Sequence, residues 1–339
     1  MSFIYPSGFQ LNSSSKHQVH MHIIHGRPPL LDNPRVHAVT IGTFDGLHLG
    51  HQQIFTRLKQ RAEELNAIPV ALTFEPMPAE FFTPYHPPSR LTPLQEKLAL
   101  IKSWGIDTGL LRFDQAFAQI SADDFIHHLL CEKLQARYVI IGDDFRYGRN
   151  REGGPEHLHR LGAKWGFSVE HMPTYRLGDE RISSSAVRQA LSGGNMDKAA
   201  SLLGRYYSLC GRIRHGLHLG MKMGFPTANI ALQNHKPPIK GVFVVQIRTR
   251  ELAWHWGVAN IGKRPTVHGH DLVLEVHLLD FSSSLYGAKA QVRFLHSIRP
   301  ELRFDSIEDL RLQIAQDINY SRAWIDQHRN RLNHEPTAI

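Results

Sequence analysis

The chain has 339 residues, 42% hydrophobic and 21% charged, with a formal net charge of +8, which suits a folded protein of roughly two domains rather than a disordered one. No apolar run approaches the ~20 residues that cross a bilayer, and the opening MSFIYPSGFQLNSSSKHQ lacks the apolar core of a secretory signal. Its 39 Lys and Arg are scattered among 31 Asp and Glu without a long basic run, so no nucleic-acid partner is expected. No obligate protein partner is evident either.

Residues 1–20 read as a flexible extension. Within HQVHMHIIH, His20 and His22 alternate with Val19, Met21 and Ile23, the pattern of a strand with one polar face more than of a metal site. Val36 to Ile41 is a short buried strand, and Gln52 to Leu65 an amphipathic helix. Val70 to Phe74 is a strand. Pro93 to Trp104 is a helix behind Thr92 as N-cap, and Ser121 caps another from Ala122 to Leu134, with Phe125 and Leu129 facing the core. Tyr138 to Ile141 is a strand, Pro155 to Trp165 a helix, and Phe167 to Met172 a strand. This alternation predicts a parallel sheet covered by helices on both faces. The pattern changes near Gly193 and Gly194. After a short helix, Met196 to Leu203, strands are expected at 206–214, 242–248, 253–260, 272–280 and 291–298, spaced as in a small antiparallel barrel. A helix over 306–327 closes the chain. The expected division is a first domain over 21–190, a linker region over 191–205, and a second domain over 206–330. Cys131 and Cys210 have neither metal nor redox spacing and read as reduced thiols of a cytoplasmic protein.

The segment with most chemical content is GTFDGLHLGH, Gly42 to His51. It joins a buried strand to a helix, where backbone N–H groups and a positive helix end meet anions. His48 and His51 can touch phosphate oxygens there, and Gly42, Gly46 and Gly50 let the backbone come close. The spacing is neither a P-loop nor a dinucleotide fingerprint. GDDFRYG after the 138–141 strand can reach the same crevice.

GTFDGLHLGH, FEPMPAEFF, RLTPLQEKL, IGDDFRYGRNREG and RISSSAVR in the first half, with GFPTANI, GVANIGKRPTV, LEVHLLDF, LYG and IRPELRF in the second, together resemble the bacterial bifunctional riboflavin kinase/FAD synthetase family over nearly the whole chain. The resemblance implies a nucleotidyltransferase-type, Rossmann-like α/β domain followed by a small antiparallel β-barrel riboflavin kinase domain with a C-terminal helix. It implies ATP-dependent phosphorylation of riboflavin to FMN, then adenylylation of FMN to FAD with release of pyrophosphate. The substrates would be ATP, riboflavin and FMN, with Mg²⁺ as the ion. Its residues map as follows. His48 and His51 would act on the triphosphate, with Gly42, Phe44, Asp45, Gly46, Gly50, Asp144, Ser183, Ser184, Ser185 and Arg188 at that nucleotide. Gly224, Phe225 and Pro226 would shape the kinase nucleotide loop, Thr227 and Asn229 would hold Mg²⁺, and Glu275 would be the base toward the riboflavin hydroxyl. Thr227 and Asn229 alternate on one side of an extended stretch. Glu275 faces away from Leu274 and Val276. The chain departs from the family at Thr43, often Asn, at Met221 and Lys222, where Arg and a small residue are usual, and at Arg151 to Gly154.

Overall fold

The computed structural model describes residues 21–24, 36–216, 220, 223–232, 235–266 and 269–333. The extension expected over residues 1–20, His20, Met221 and Lys222 lie outside them.

In the first half, strands β1 (Met21–Ile24), β2 (His37–Ile41), β3 (Ile68–Glu75), β4 (Asp107–Arg112), β5 (Ala136–Gly142) and β6 (Ser168–Met172) form one sheet in the order β1-β4-β3-β2-β5-β6. The last five are parallel, while β1 runs antiparallel along the β4 edge. Neither β4 nor the short helices α2 (Pro78–Phe82) and α4 (Gln115–Ala118) was expected from the sequence. DTGLLR carries a charge at each end and a glycine inside, so its strand character comes from burial beside β3.

Helices α1 (Leu49–Glu64) and α3 (Leu94–Ser103) cover one face, burying Phe55, Leu58 and Ile101 against Ala38, Ala71 and Ile140. Helices α5 (Ala122–Phe125) and α6 (Pro155–Trp165) cover the other, where Val39, Ile41, Val70 and Leu72 meet Phe125, Leu129 and Leu158. Val39 and Ile41 thus point opposite to Ala38, as the period of two requires. Ser121 Oγ accepts from Asp124 N at 3.1 Å, but the expected single helix continues past Phe125 as a π-helix, Ile126–Lys133. Its wider turn keeps Ile126, Leu129 and Leu130 fully buried. α3 begins one residue later than expected, with Pro93 as its N-cap. Thr92 is buried instead, its N–H given to the Asp45 carboxylate at 3.1 Å.

After a two-stranded ribbon, β7 (Arg176–Leu177) and β8 (Glu180–Arg181), come helices α7 (Ser184–Ser192) and α8 (Met196–Leu203). Strands β9 (Ser208–Arg214), β10 (Ala228–Ala231), β11 (Gly241–Arg248), β12 (His255–Thr266), β13 (Gly269–Leu278) and β14 (Lys289–Arg299) then close into an antiparallel barrel, order β10-β13-β12-β11-β14-β9. Helix α9 (Ile307–Asn333) lies on its outside, where Ile318 and Ile325 pack against Val242, Val244 and Val258. One continuous core joins Val187, Leu191, Met196, Leu202 and Leu203 of α7 and α8 to Leu209, Phe243, Val245 and Phe294 inside the barrel, with Leu91 of the first half at its edge.

Candidate active sites

β2 leads outward to β3 on one side, and β5 takes the place on its other side. The crevice beyond the carboxyl ends of β2 and β5 is therefore the point where the winding of the sheet reverses, the usual ligand position in such sheets. A cavity of about 1110 Å³ opens there. Gly42, Phe44, His48, Gly50 and His51 line it from the β2 side, Asp144 from the β5 side, and Ser183, Ser184 and Ser185 from the start of α7. Two helix N-termini, of α1 and α7, reach its wall, each bringing unpaired backbone N–H groups and a positive dipole end.

His48 is the N-cap of α1, and its Nδ1 accepts from His51 N over a long 3.4 Å. The two imidazoles stack with centroids 3.7 Å apart. The Phe44 ring stands edge-on to His51 at 5.3 Å. At Gly50 a side chain would come within 3.3 Å of the His48 ring, which would have to shift by a few tenths of an ångström to admit it. Burial pushes His48 down to about 4, and lowers His51 well below the ordinary imidazole value, helped by His48 and by the Lys97 and Arg205 cations. Both rings are therefore neutral near pH 7. They can donate hydrogen bonds, but positive charge at the site has other sources. Arg146, Arg151, Arg176 and Arg181 also line the cavity. Arg181 Nη2 donates to Asp144 Oδ2 at 2.5 Å.

Three expected residues lie behind this wall rather than on it. The Asp45 carboxylate is buried and accepts from Leu91 N, Thr92 N and Arg188 Nη2. Arg188 also gives its Nε to Ser89 O at 2.6 Å. Gly46, at φ 81°, faces Leu91 and Leu203. Ser183 caps α7 by accepting from Ala186 N at 3.2 Å, and Ser184 Oγ donates to Asp45 O at 2.8 Å. Within RISSSAVR it is thus Arg181, ahead of the serines, that borders the cavity, while Arg188 braces the loop.

The second constellation is on the barrel's outer surface. Asn229 of β10 lies directly opposite Glu275 of β13, and Glu275 opposite Asn260 of β12. Their neighbours Ala228, Leu274 and Val276 are buried in the barrel, so these three polar residues form one rung on the outward face. Asn229 Oδ1 is buried and has no hydrogen-bond partner among the described residues, an oxygen available to an incoming cation. Thr227 comes two residues before it, just ahead of β10. Gly224 turns the chain at φ 86°. Phe225 packs among the side chains beneath α9 and meets His277 edge-on at 5.9 Å, and Pro226 O accepts from His277 Nδ1 at 2.9 Å.

Residues 31–186 match the family model described as FAD synthetase, and residues 203–325 the one described as riboflavin kinase. The bifunctional riboflavin kinase/FMN adenylyltransferase of Haemophilus influenzae is 42% identical over 290 residues, covering 85% of this chain and 94% of its own length. That of Escherichia coli K12 is 43% identical over 299 residues, covering 88% and 96%. The chain belongs to the bifunctional riboflavin kinase/FMN adenylyltransferase family. A solved structure described as a macrolide-efflux protein from Streptococcus pneumoniae shares the fold, with 29% identity, a TM-score of 0.76, and coverage of 86% of this chain and 96% of that one.

In this family member, several residues of interest were not expected from the sequence. Lys97 is fully buried, and its Nζ donates to Thr43 O at 3.1 Å and Thr73 Oγ1 at 3.2 Å. Burial lowers it to about 8. Asn260 completes the Asn229–Glu275 rung from β12, the strand before β13. Phe82, Phe113, Phe117 and Tyr147 form an aromatic side of the cavity. A lysine inside a helix and phenylalanines spread over separate segments carry no local signal of such roles.

Proposed function

We propose that the protein phosphorylates riboflavin to FMN on the barrel and adenylylates FMN to FAD in the crevice of the parallel sheet, each site using its own ATP. That the chain performs both steps of flavin cofactor synthesis follows from its family. The division of labour between residues is our reading, supported above all by the paired histidines beside two helix N-termini.

Adenylyl transfer needs the FMN phosphate in line with the α-phosphorus of ATP and donors for the charge that builds on the departing pyrophosphate. His48 Nδ1 is engaged as an acceptor, which leaves Nε2–H as the donor. His51 adds a second N–H, and the N-termini of α1 and α7 add backbone N–H groups. Arg181, released from Asp144 or shared with it, supplies a mobile cation. The aromatic side of the cavity suits the flavin ring, which favours flat, apolar contacts.

On the barrel, Thr227 and Asn229 would hold Mg²⁺, consistent with the unpartnered Asn229 Oδ1 and with an ion that takes few protein oxygens. When bound, Mg²⁺ neutralises phosphate charge during γ-phosphoryl transfer. Glu275, next to Asn229, orients the riboflavin 5′-hydroxyl and accepts its proton. The reactions draw on ATP and both cysteines are free thiols, which fits a reducing, cytoplasmic setting.

Incubating the protein with riboflavin, ATP and Mg²⁺ should yield both FMN and FAD on chromatography. His51→Ala should lower FAD formation by about 10²–10³ while FMN accumulates. Glu275→Gln should stop FMN formation yet leave FAD formation from supplied FMN intact. If either folded variant lost both activities equally, the assignment of separate sites would fail.

A further inference from the structure

Between β2 and α1 the chain holds a sequence of unfavourable backbone conformations. Phe44 is at φ 48°, Gly46 at 81° and Leu47 at 43°. For Phe and Leu such angles are strained, and they persist only where the surroundings over-determine them. Here the surroundings grip the carbonyls. Thr43 O accepts from Lys97 Nζ, and Asp45 O from Ser184 Oγ. The other two carbonyls are held from beyond the first family match. Arg205, between α8 and β9, donates Nη2 to Gly46 O at 2.7 Å and Nη1 to Leu47 O at 3.2 Å and Leu203 O at 3.3 Å. Gln52 Nε2 bridges the same pair, reaching Leu47 O at 2.9 Å and Leu203 O at 2.8 Å. At Gly204 a side chain would meet Leu49 at 2.6 Å, so α8 ends flush against the start of α1.

We infer that Arg205 is a positioning residue for adenylyl transfer: from the kinase half of the chain it clamps the strained loop that aims His48 and His51, so the adenylyltransferase site is complete only with a residue outside its own sheet. This rests on the reading of the 42–51 loop as the phosphate site. The guanidinium fork matters because it spans three carbonyls of two segments at once, a geometry a single ammonium cannot copy. A cation so placed also leans the field of the loop toward anions without touching the substrate.

The test compares Arg205→Ala, Arg205→Lys and Gln52→Ala with His51→Ala in the full-length protein, reading FAD formation from FMN and FMN formation from riboflavin separately. In Arg205→Ala, FAD formation should fall by roughly tenfold to a hundredfold, the scale of a misplaced catalytic group. The loss should lie in kcat more than in the KM for ATP, while riboflavin phosphorylation is unchanged. Arg205→Lys should recover only part of it. Because Arg205 and Gln52 share Leu47 O and Leu203 O, their effects should be non-additive in a double-mutant cycle. Full FAD formation by folded Arg205→Ala, with His51→Ala impaired, would overturn the clamp. Parallel loss of both activities would reduce Arg205 to a fold-stabilising residue and overturn it too. If Arg205→Ala does not fold, the Lys and Gln52 variants carry the same comparison. An unimpaired His51→Ala would instead bring down the phosphate-loop reading on which the inference stands.

Discussion

His48 illustrates how a residue of obvious chemical type acquires its state from position. A histidine beside a phosphate suggests a cation, but burial holds this one down to about 4. Its pKa in the unfolded chain is near 6.5, so the unfolded state binds the extra proton first as pH falls. Stability from this group is therefore fully present above about 6.5 and is lost between there and about 4, a swing of about 3 kcal/mol. Urea unfolding at a series of pH values should show the difference directly: His48→Asn should flatten part of the slope between those limits. An identical slope in the variant would contradict the neutral, buried state. Lys97 is the reverse case, a cation kept in the interior by two oxygen acceptors. Thr43 O also accepts from Thr73 Oγ1 at 3.2 Å, so Lys97→Met leaves no orphaned carbonyl, and buried charges are often replaceable without loss of stability. The variant should melt at or above the parent temperature yet form FAD more slowly. A lowered melting temperature with FAD formation intact would assign Lys97 to the fold alone.

At the scale of elements, both candidate sites depend on pairing partners distant in the chain. β10 is only Ala228–Ala231, yet its register against β13 sets Asn229 beside Glu275. A one-residue slip would turn Asn229 inward and Ala228 out. Asn229→Ala removes the buried oxygen proposed for Mg²⁺. The Mg²⁺ concentration for half-maximal FMN formation should rise by about tenfold or more, whereas the Mg²⁺ dependence of FAD formation should not move. If both dependences moved together, Asn229 would not be the kinase ligand. The β12–β13 pairing brings Asn260 to the other side of Glu275, and Asn260→Ala gives a second probe of that rung.

For the whole molecule, the arrangement of cores predicts an asymmetry between the two halves. α7 and α8 bury Val187, Leu191, Met196, Leu202 and Leu203 with the barrel interior, while Cys210 N donates to Glu96 of α3 at 2.9 Å and Arg205 holds the 42–51 loop. A fragment from about residue 183 onward keeps α7, α8 and the barrel together and should phosphorylate riboflavin. A fragment ending near residue 190 keeps His48 and His51 but lacks Arg205, all of α8 and the end of α7, so it should form FAD poorly even where it folds. Equal, full activity of both fragments would refute this dependence.

The two-part architecture is legible locally, because parallel strands alternate with helices at one spacing and antiparallel strands follow at another. GTFDGLHLGH and GFPTANI each carry several of the proposed site residues within a few consecutive positions, so both proposed sites were legible locally. Which cation borders the cavity and which braces it is set by packing. Arg181 and Arg188 look equivalent in RISSSAVR, but Arg181 ends β8 at the crevice whereas Arg188, inside α7, is turned onto Asp45. Tertiary structure also set the neutrality of His48 and His51, which is a property of burial, and the roles of Lys97 and Arg205, which reach Thr43 O and Gly46 O across 54 and 159 residues of sequence. Contacts at such separations follow from packing and register, which no window of local sequence contains.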